Sequence, residues 1–365
     1  MPMQRVAHRG RLAALAGLML LLTACAVPSG PPAVRGRLHL GAVDAPEGQQ
    51  LTWPAAPEVP RYLYTGTLVG EPNFVPPEGG QSTLGTLGRW IAGLDEASAQ
   101  PQVLQRPSGL VGDEAGRLYV SDTSRQAVFV FDEKAGELQL WERASAALRF
   151  VAPSGLAVAA GRLWVADAEL GAVFVLDAQG EPQGVVGRGL LQRPTGLARD
   201  ARTGWLYVAD TVAHDIKVFD DSGRLLRTLG RRGTGPGEFN YPSHLAFALG
   251  ELYVTDTLNS RVQVFAADGA LPVRILGRRG LVLGDLVRPK GVSVDSDGNV
   301  YVVESYHDSL LVYSPKGEFL MPIGGTGKAT GRFYLPAGVW VDARNRVHVA
   351  DMFNGRIVLF QFLGS

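Results

Sequence analysis

Residues 241–265 read YPSHLAFALGELYVTDTLNSRVQVF, and their reversals fall too close together for helices. Pro242 has a fixed φ and no N–H to donate, which suits the first residue of a strand, and Leu245 to Phe247 extends that strand as an apolar run. Gly250 permits a tight reversal into ELYVTD, where Leu252, Tyr253 and Val254 have the aromatic and branched character of a buried strand. TLNS is a polar turn, its Asn and Ser able to bond their own backbone, and RVQVF alternates polar and apolar residues as a third strand. After the turn at Asp268-Gly269, PVRILG supplies a fourth, so the unit reads as four strands, A to D.

Equivalent segments start at Pro107, Pro153, Pro194, Pro289 and Pro336, and each reaches its B strand about ten residues later. The B strands are RLYVSD, RLWVAD, WLYVAD, ELYVTD, NVYVVE and RVHVAD. Their terminal acids, Asp122, Asp167, Asp210, Asp256, Glu304 and Asp351, recur roughly every 43 to 48 residues, the period of four-stranded propeller blades. These residues resemble the NHL repeat, with its Pro-x-Gly entry, Gly turn, "lyVaD" strand and "rIqvF" strand. The array, about 260 residues long, is similar to that of bacterial lipoproteins with a six-bladed NHL propeller. The resemblance implies an all-β, six-bladed β-propeller of four-stranded blades. Three residues depart from the pattern: His244 replaces the entry Gly, Glu304 replaces Asp, and His348 replaces the strand-B aromatic. No WD dipeptide ends the strands, which sets the array apart from WD40 repeats.

The last repeat stops at RIVLFQF, after strand C, and would leave an unpaired edge. Residues 61–70, RYLYTGTLVG, read like a displaced strand D and are predicted to close the ring against residues 356–362. The propeller is therefore expected over 61–365, with complete repeats from about 107. Between closing strand and repeats, Leu84, Leu87, Trp90, Ile91 and Leu94 fall on one helical face, predicting a short helix over 82–94 that covers the core.

The chain begins with Arg5, Arg9 and Arg11, an apolar run too short to span a bilayer, and LTAC ending at Cys25. This resembles a lipoprotein signal peptide, 1–24, cleaved before Cys25, which would be the lipid-attachment (diacylglycerol and palmitate) residue. Two or more acyl chains hold a protein to a membrane where one is marginal. Residues 25–60, rich in Pro, Gly and Ala, are expected to form a flexible tether. With Ala26 following the cysteine, the resemblance implies the outer membrane of a bacterial envelope, facing the periplasm. Formal charge is zero over the chain, so removing three signal arginines leaves about −3. No global field or basic run favours nucleic acid.

Propeller connections bring D–A loops and B–C turns to one rim, where binding is expected from Arg106, Arg193, Tyr241, His244, Arg288, Lys290, Glu304 and His307. The recurring Asp122, Asp167, Asp210, Asp256 and Asp351 are expected to serve the blades by accepting hydrogen bonds from adjacent turns. No Ser-His-Asp or Cys-His arrangement can be assigned from spacing, so no catalytic residue is named. DSDGN at 295–299 lacks the glycine position and bidentate Glu of a calcium loop, and the glycine-rich 230–239 and 277–286 loops lack the helix that a phosphate cradle needs. The first reading is a lipid-anchored, non-catalytic binding or scaffold protein for an envelope protein or polymer, without a cofactor. The second is a metal-dependent lyase or hydrolase at the channel mouth, with His244 and Glu304 as ligands.

Overall fold

The computed structural model describes residues 32–41, 50–76 and 101–364. The signal segment, Cys25 and the 82–94 helix lie outside them. Six blades, each with antiparallel A–D strands, surround a central channel. Blade 1 comprises Pro107–Gly112, Arg117–Asp122, Ala127–Asp132 and Glu137–Trp141. Blade 6 takes its A, B and C strands from Val339–Val341, Arg346–Asp351 and Arg356–Phe362, and its fourth from Tyr62–Leu68. That strand runs antiparallel to strand C, with Phe362 opposite Tyr62 and Ile357 opposite Leu68. The exposed ladder of the last repeat is thereby paired, and the ring closes with hydrogen bonds between distant parts of the chain.

Where a flexible tether is expected, the structure adds strands. Val34–Arg35 pairs with the outer strand of blade 1, Thr52–Trp53 pairs with the closing strand, and Arg37–Leu38 pairs with Phe74–Val75. Trp53 and Leu38 pack on the blade cores beside them. A Pro-rich composition hid these pairs because two-residue strands carry no readable periodicity.

The core lies between blades. Successive inter-blade clusters are built around an aromatic from the preceding B strand: Tyr119, Trp164, Tyr207, Tyr253 and Tyr301. Burying such a ring contributes about 2–3 kcal/mol. Inside the ring, neighbouring A strands nearly touch. A Cβ on the entry glycines Gly109, Gly155, Gly196 and Gly338 would lie 2.2, 2.3, 2.6 and 2.2 Å from a backbone oxygen of the adjoining blade. Glycine is needed there for close approach.

Candidate functional site

Every blade acid is fully buried, and its carboxylate oxygens accept backbone N–H groups. Asp122 accepts from Gln105 and Arg106, the two residues before the entry proline, and from Ser124 and Arg125 in the following turn. Asp167 and Asp210 repeat the first pair with Val151 and Ala152, and with Gln192 and Arg193. Each acid thus ties the D–A loop to its own B strand.

Glu304, expected on the rim as a binding residue, is the blade-5 version of this tie. It accepts from the Val287, Arg288 and Tyr306 amides and has no exposed surface. Its extra methylene is absorbed within the blade, so the carboxylate reaches the amides that an aspartate reaches in other blades.

Blades 4 and 6 use a different set. Asp256 is ion-paired with Arg261 at 2.8 Å and receives Asn259, and Asp351 is paired with Arg356 at 2.8 Å and receives Asn354. The second loop amide then goes to a neighbouring blade: Tyr241 N–H donates to His214 Nδ1 and Leu335 N–H to Asp308 Oδ1. Burial raises the Asp256 and Asp351 carboxyls above the usual range despite these donors. The signal was present in the sequence as DTLNSR and DMFNGR, the two copies with Asn and Arg after the acid.

Hydroxyls line the channel mouth, where they bridge blades. Ser121 Oγ donates to the Ser154 carbonyl, Thr195 Oγ1 to the Ser243 carbonyl, and Thr257 Oγ1 to the Pro289 carbonyl. His244 occupies the glycine position of this ring. Its Nδ1 is 3.0 Å from Ser243 Oγ, which is 2.6 Å from Thr257 Oγ1. Enclosure by protein, and then repulsion from Lys290, pushes the imidazole down to about 3, so it is neutral near pH 7. Lys290, in the equivalent region of blade 5, is itself pulled below the usual lysine range by burial and by Arg288.

Other rim residues are dispersed. Arg193 is ion-paired with Glu169 at 2.7 Å, Arg106 lies over the Phe353 ring, Tyr241 packs edge-on against His214, and His307 against Tyr306. The structure therefore gathers His244, Arg288 and Lys290 at the junction of blades 4 and 5 and spreads the rest around the ring. Among the described residues, no group of three or more His, Cys, Asp or Glu could hold a metal ion, and Glu304 is committed to backbone amides.

One feature of the face was overlooked in the sequence. The second residue after each blade acid is Val212, Leu258, Tyr306 and Phe353 in blades 3 to 6, all exposed, but Ser124 and Glu169 in blades 1 and 2. With exposed Tyr241 and Tyr334, these make an apolar arc over two-thirds of the rim. Aligning the six copies at that column would have exposed it.

A family model described as "6-bladed beta-propeller" matches residues 200–251 and 286–365, and one for the NHL repeat matches 239–265. The chain is 28% identical over 142 residues to Protein brain tumor of Drosophila melanogaster, covering 38% of this chain and 13% of that protein. It spans less than a fifth of the curated relatives it matches. An auxiliary nutrient binding protein from Bacteroides thetaiotaomicron superimposes with a TM-score of 0.57 at 13% identity, over 72% of this chain and 70% of that one. A virginiamycin B lyase from Staphylococcus aureus superimposes with a TM-score of 0.52 at 13% identity, over 71% and 96%. The chain is a six-bladed β-propeller with NHL-type repeats, an architecture shared by binding proteins and by lyases.

Proposed function

We propose that this protein is a non-catalytic binding propeller, held to a bacterial envelope membrane through lipid on Cys25, whose D–A and B–C rim takes an acidic protein or polymer. The supporting observation is the rim itself: Arg288 and Lys290 have no ion-pair partner among the described residues and stand on the face that carries the apolar arc. Unpaired cations beside exposed aromatics favour an anionic partner with apolar surface, since both terms improve when water leaves. Among the described residues no helix is long and apolar enough to cross a membrane. Crosslinking in intact cells, followed by purification in mild detergent, tests the reading. A recurrent partner should be lost from Arg288→Glu/Lys290→Glu but kept by Arg224→Glu on the opposite face. Retention by the rim variant would overturn it.

A second reading, lyase or hydrolase chemistry, is favoured by one observation. His244 presents a neutral imidazole near the Lys290 and Arg288 side chains at the channel mouth, where an anionic substrate could be held. A metal there would need ligands beyond His244. Turnover abolished by His244→Ala, with folding unchanged, would replace the first reading by this one.

A further inference from the structure

Five inter-blade cores are plugged by a strand-B aromatic, and the sixth is not. Between blades 6 and 1 that position is His348, and beside it lies a cavity of about 710 Å³. It opens at the A–B and C–D turns, the face opposite the rim described above, and it is a size that takes a small molecule of drug-like dimensions. Leu118 and Phe131 of blade 1, Leu359 and Trp340 of blade 6, and Leu40 before the closing strand make its apolar walls. Trp340 is seated by a missing side chain, for a Cβ on Gly112 would lie 2.2 Å from its ring.

His348 is only 4% exposed and packs against Trp340 with ring centroids 5.0 Å apart and planes tilted by 39°. Backbone carbonyls of Trp340 and Arg346 lie near the ring, yet Nδ1 closes no hydrogen bond. A buried polar atom left unmet costs about 1–3 kcal/mol, a cost that the tyrosine or tryptophan at this position in the other blades does not carry there. The charged groups at the mouth are balanced. Asp113 is paired with Arg117 and Asp342 with Arg346, while Glu114, Glu133, Lys134 and Arg344 leave no excess of either sign.

We infer that the cleft between blades 6 and 1 is a binding site for an uncharged, largely apolar small molecule that lies against the His348 and Trp340 rings. Apolar walls supply the affinity. The balanced mouth offers no compensation for desolvating an ionic head, so a neutral ligand is preferred.

The test uses the full chain and N-phenyl-1-naphthylamine, an uncharged fluorophore with one N–H. Titration should show saturable, one-to-one binding with blue-shifted emission. His348→Phe puts a larger ring into the cleft wall and should weaken binding about ten-fold. Ala343→Trp, at an exposed turn on the mouth, should obstruct entry without touching the core and covers the case in which His348→Phe perturbs the blade. Anionic 8-anilinonaphthalene-1-sulfonate should bind more weakly than the neutral probe. Non-saturable binding, equal affinity in both variants, or a preference for the anionic probe would overturn the proposal.

Discussion

At the scale of the residue, two histidines stand where the repeat asks for something else, and each is held neutral for a physical reason. Burial pushes His348 down to about 4, and His244 is pushed to about 3. An unfolded histidine takes its proton near pH 6.5. Between that value and the folded ones, the unfolded chain binds more protons, so stability falls as pH drops through the window. The buried carboxyls of Asp256 and Asp351, raised in the fold, act in the opposite sense at acid pH, but they are common to any histidine variant. His348→Phe should therefore gain on the native protein as pH is lowered from 7 to 4.5, by on the order of 1–3 kcal/mol. Urea unfolding at the two pH values reads this directly, and parallel curves would show that His348 carries no such linkage. The identity of both histidines as departures was legible in the sequence. The burial of His348 was not, because the hole beside it depends on Gly112, Trp340 and Leu40, which come from three separate stretches of chain.

At the scale of the element, the Pro-x-Gly entry and the closing strand do different work. The entry glycine permits strand A to meet the backbone of the next blade. Gly155→Ala should destabilise by about 1–3 kcal/mol, since its Cβ would press on the Thr195 carbonyl and the Leu197 amide, neither of which can give way cheaply. His244→Gly should cost little by comparison, because the glycine arrangement is the one the other junctions use. Thermal melts of the two variants should separate clearly, and similar losses would mean that His244 is itself a structural keystone. Four strands per blade and the closing role of 61–70 could be read from the sequence because strand alternation, proline entries and the missing last strand are all local signals. The ties made by Val34–Arg35 and Thr52–Trp53 could not, since short strands are specified by the edge they meet. Those edges also give a prediction. A chain starting at residue 71 leaves strand Arg356–Phe362 with an open ladder, and it should self-associate on size exclusion. A peptide of residues 50–70 added in trans should restore the monomer. A truncated chain that is monomeric alone would show that the edge is protected in another way.

At the scale of the whole molecule, chain closure and the open cleft coincide at one seam. Every other blade takes its A–D strands from one continuous stretch, and every other junction holds an aromatic plug. Blade 6 is assembled from both ends of the described chain, and its face toward blade 1 carries His348 and the cavity. Loss of packing on one side, and a hydrogen-bonded ladder closed only after a very long loop, both lower the free energy of opening there relative to blades 2 to 5. The seam should thus be the first part of the ring to open. Hydrogen exchange measured by mass spectrometry should show faster exchange in Tyr62–Leu68 and Arg356–Phe362 than in the matching strands of blade 3, Leu225–Leu229 and Asp215–Phe219. A saturating neutral ligand in the cleft, or His348→Phe, should slow exchange at the seam and leave blade 3 unchanged, because a ligand stabilises only the openings that expel it. Uniform exchange around the ring would mean that the propeller opens as one cooperative unit and that the cleft is not a weak point.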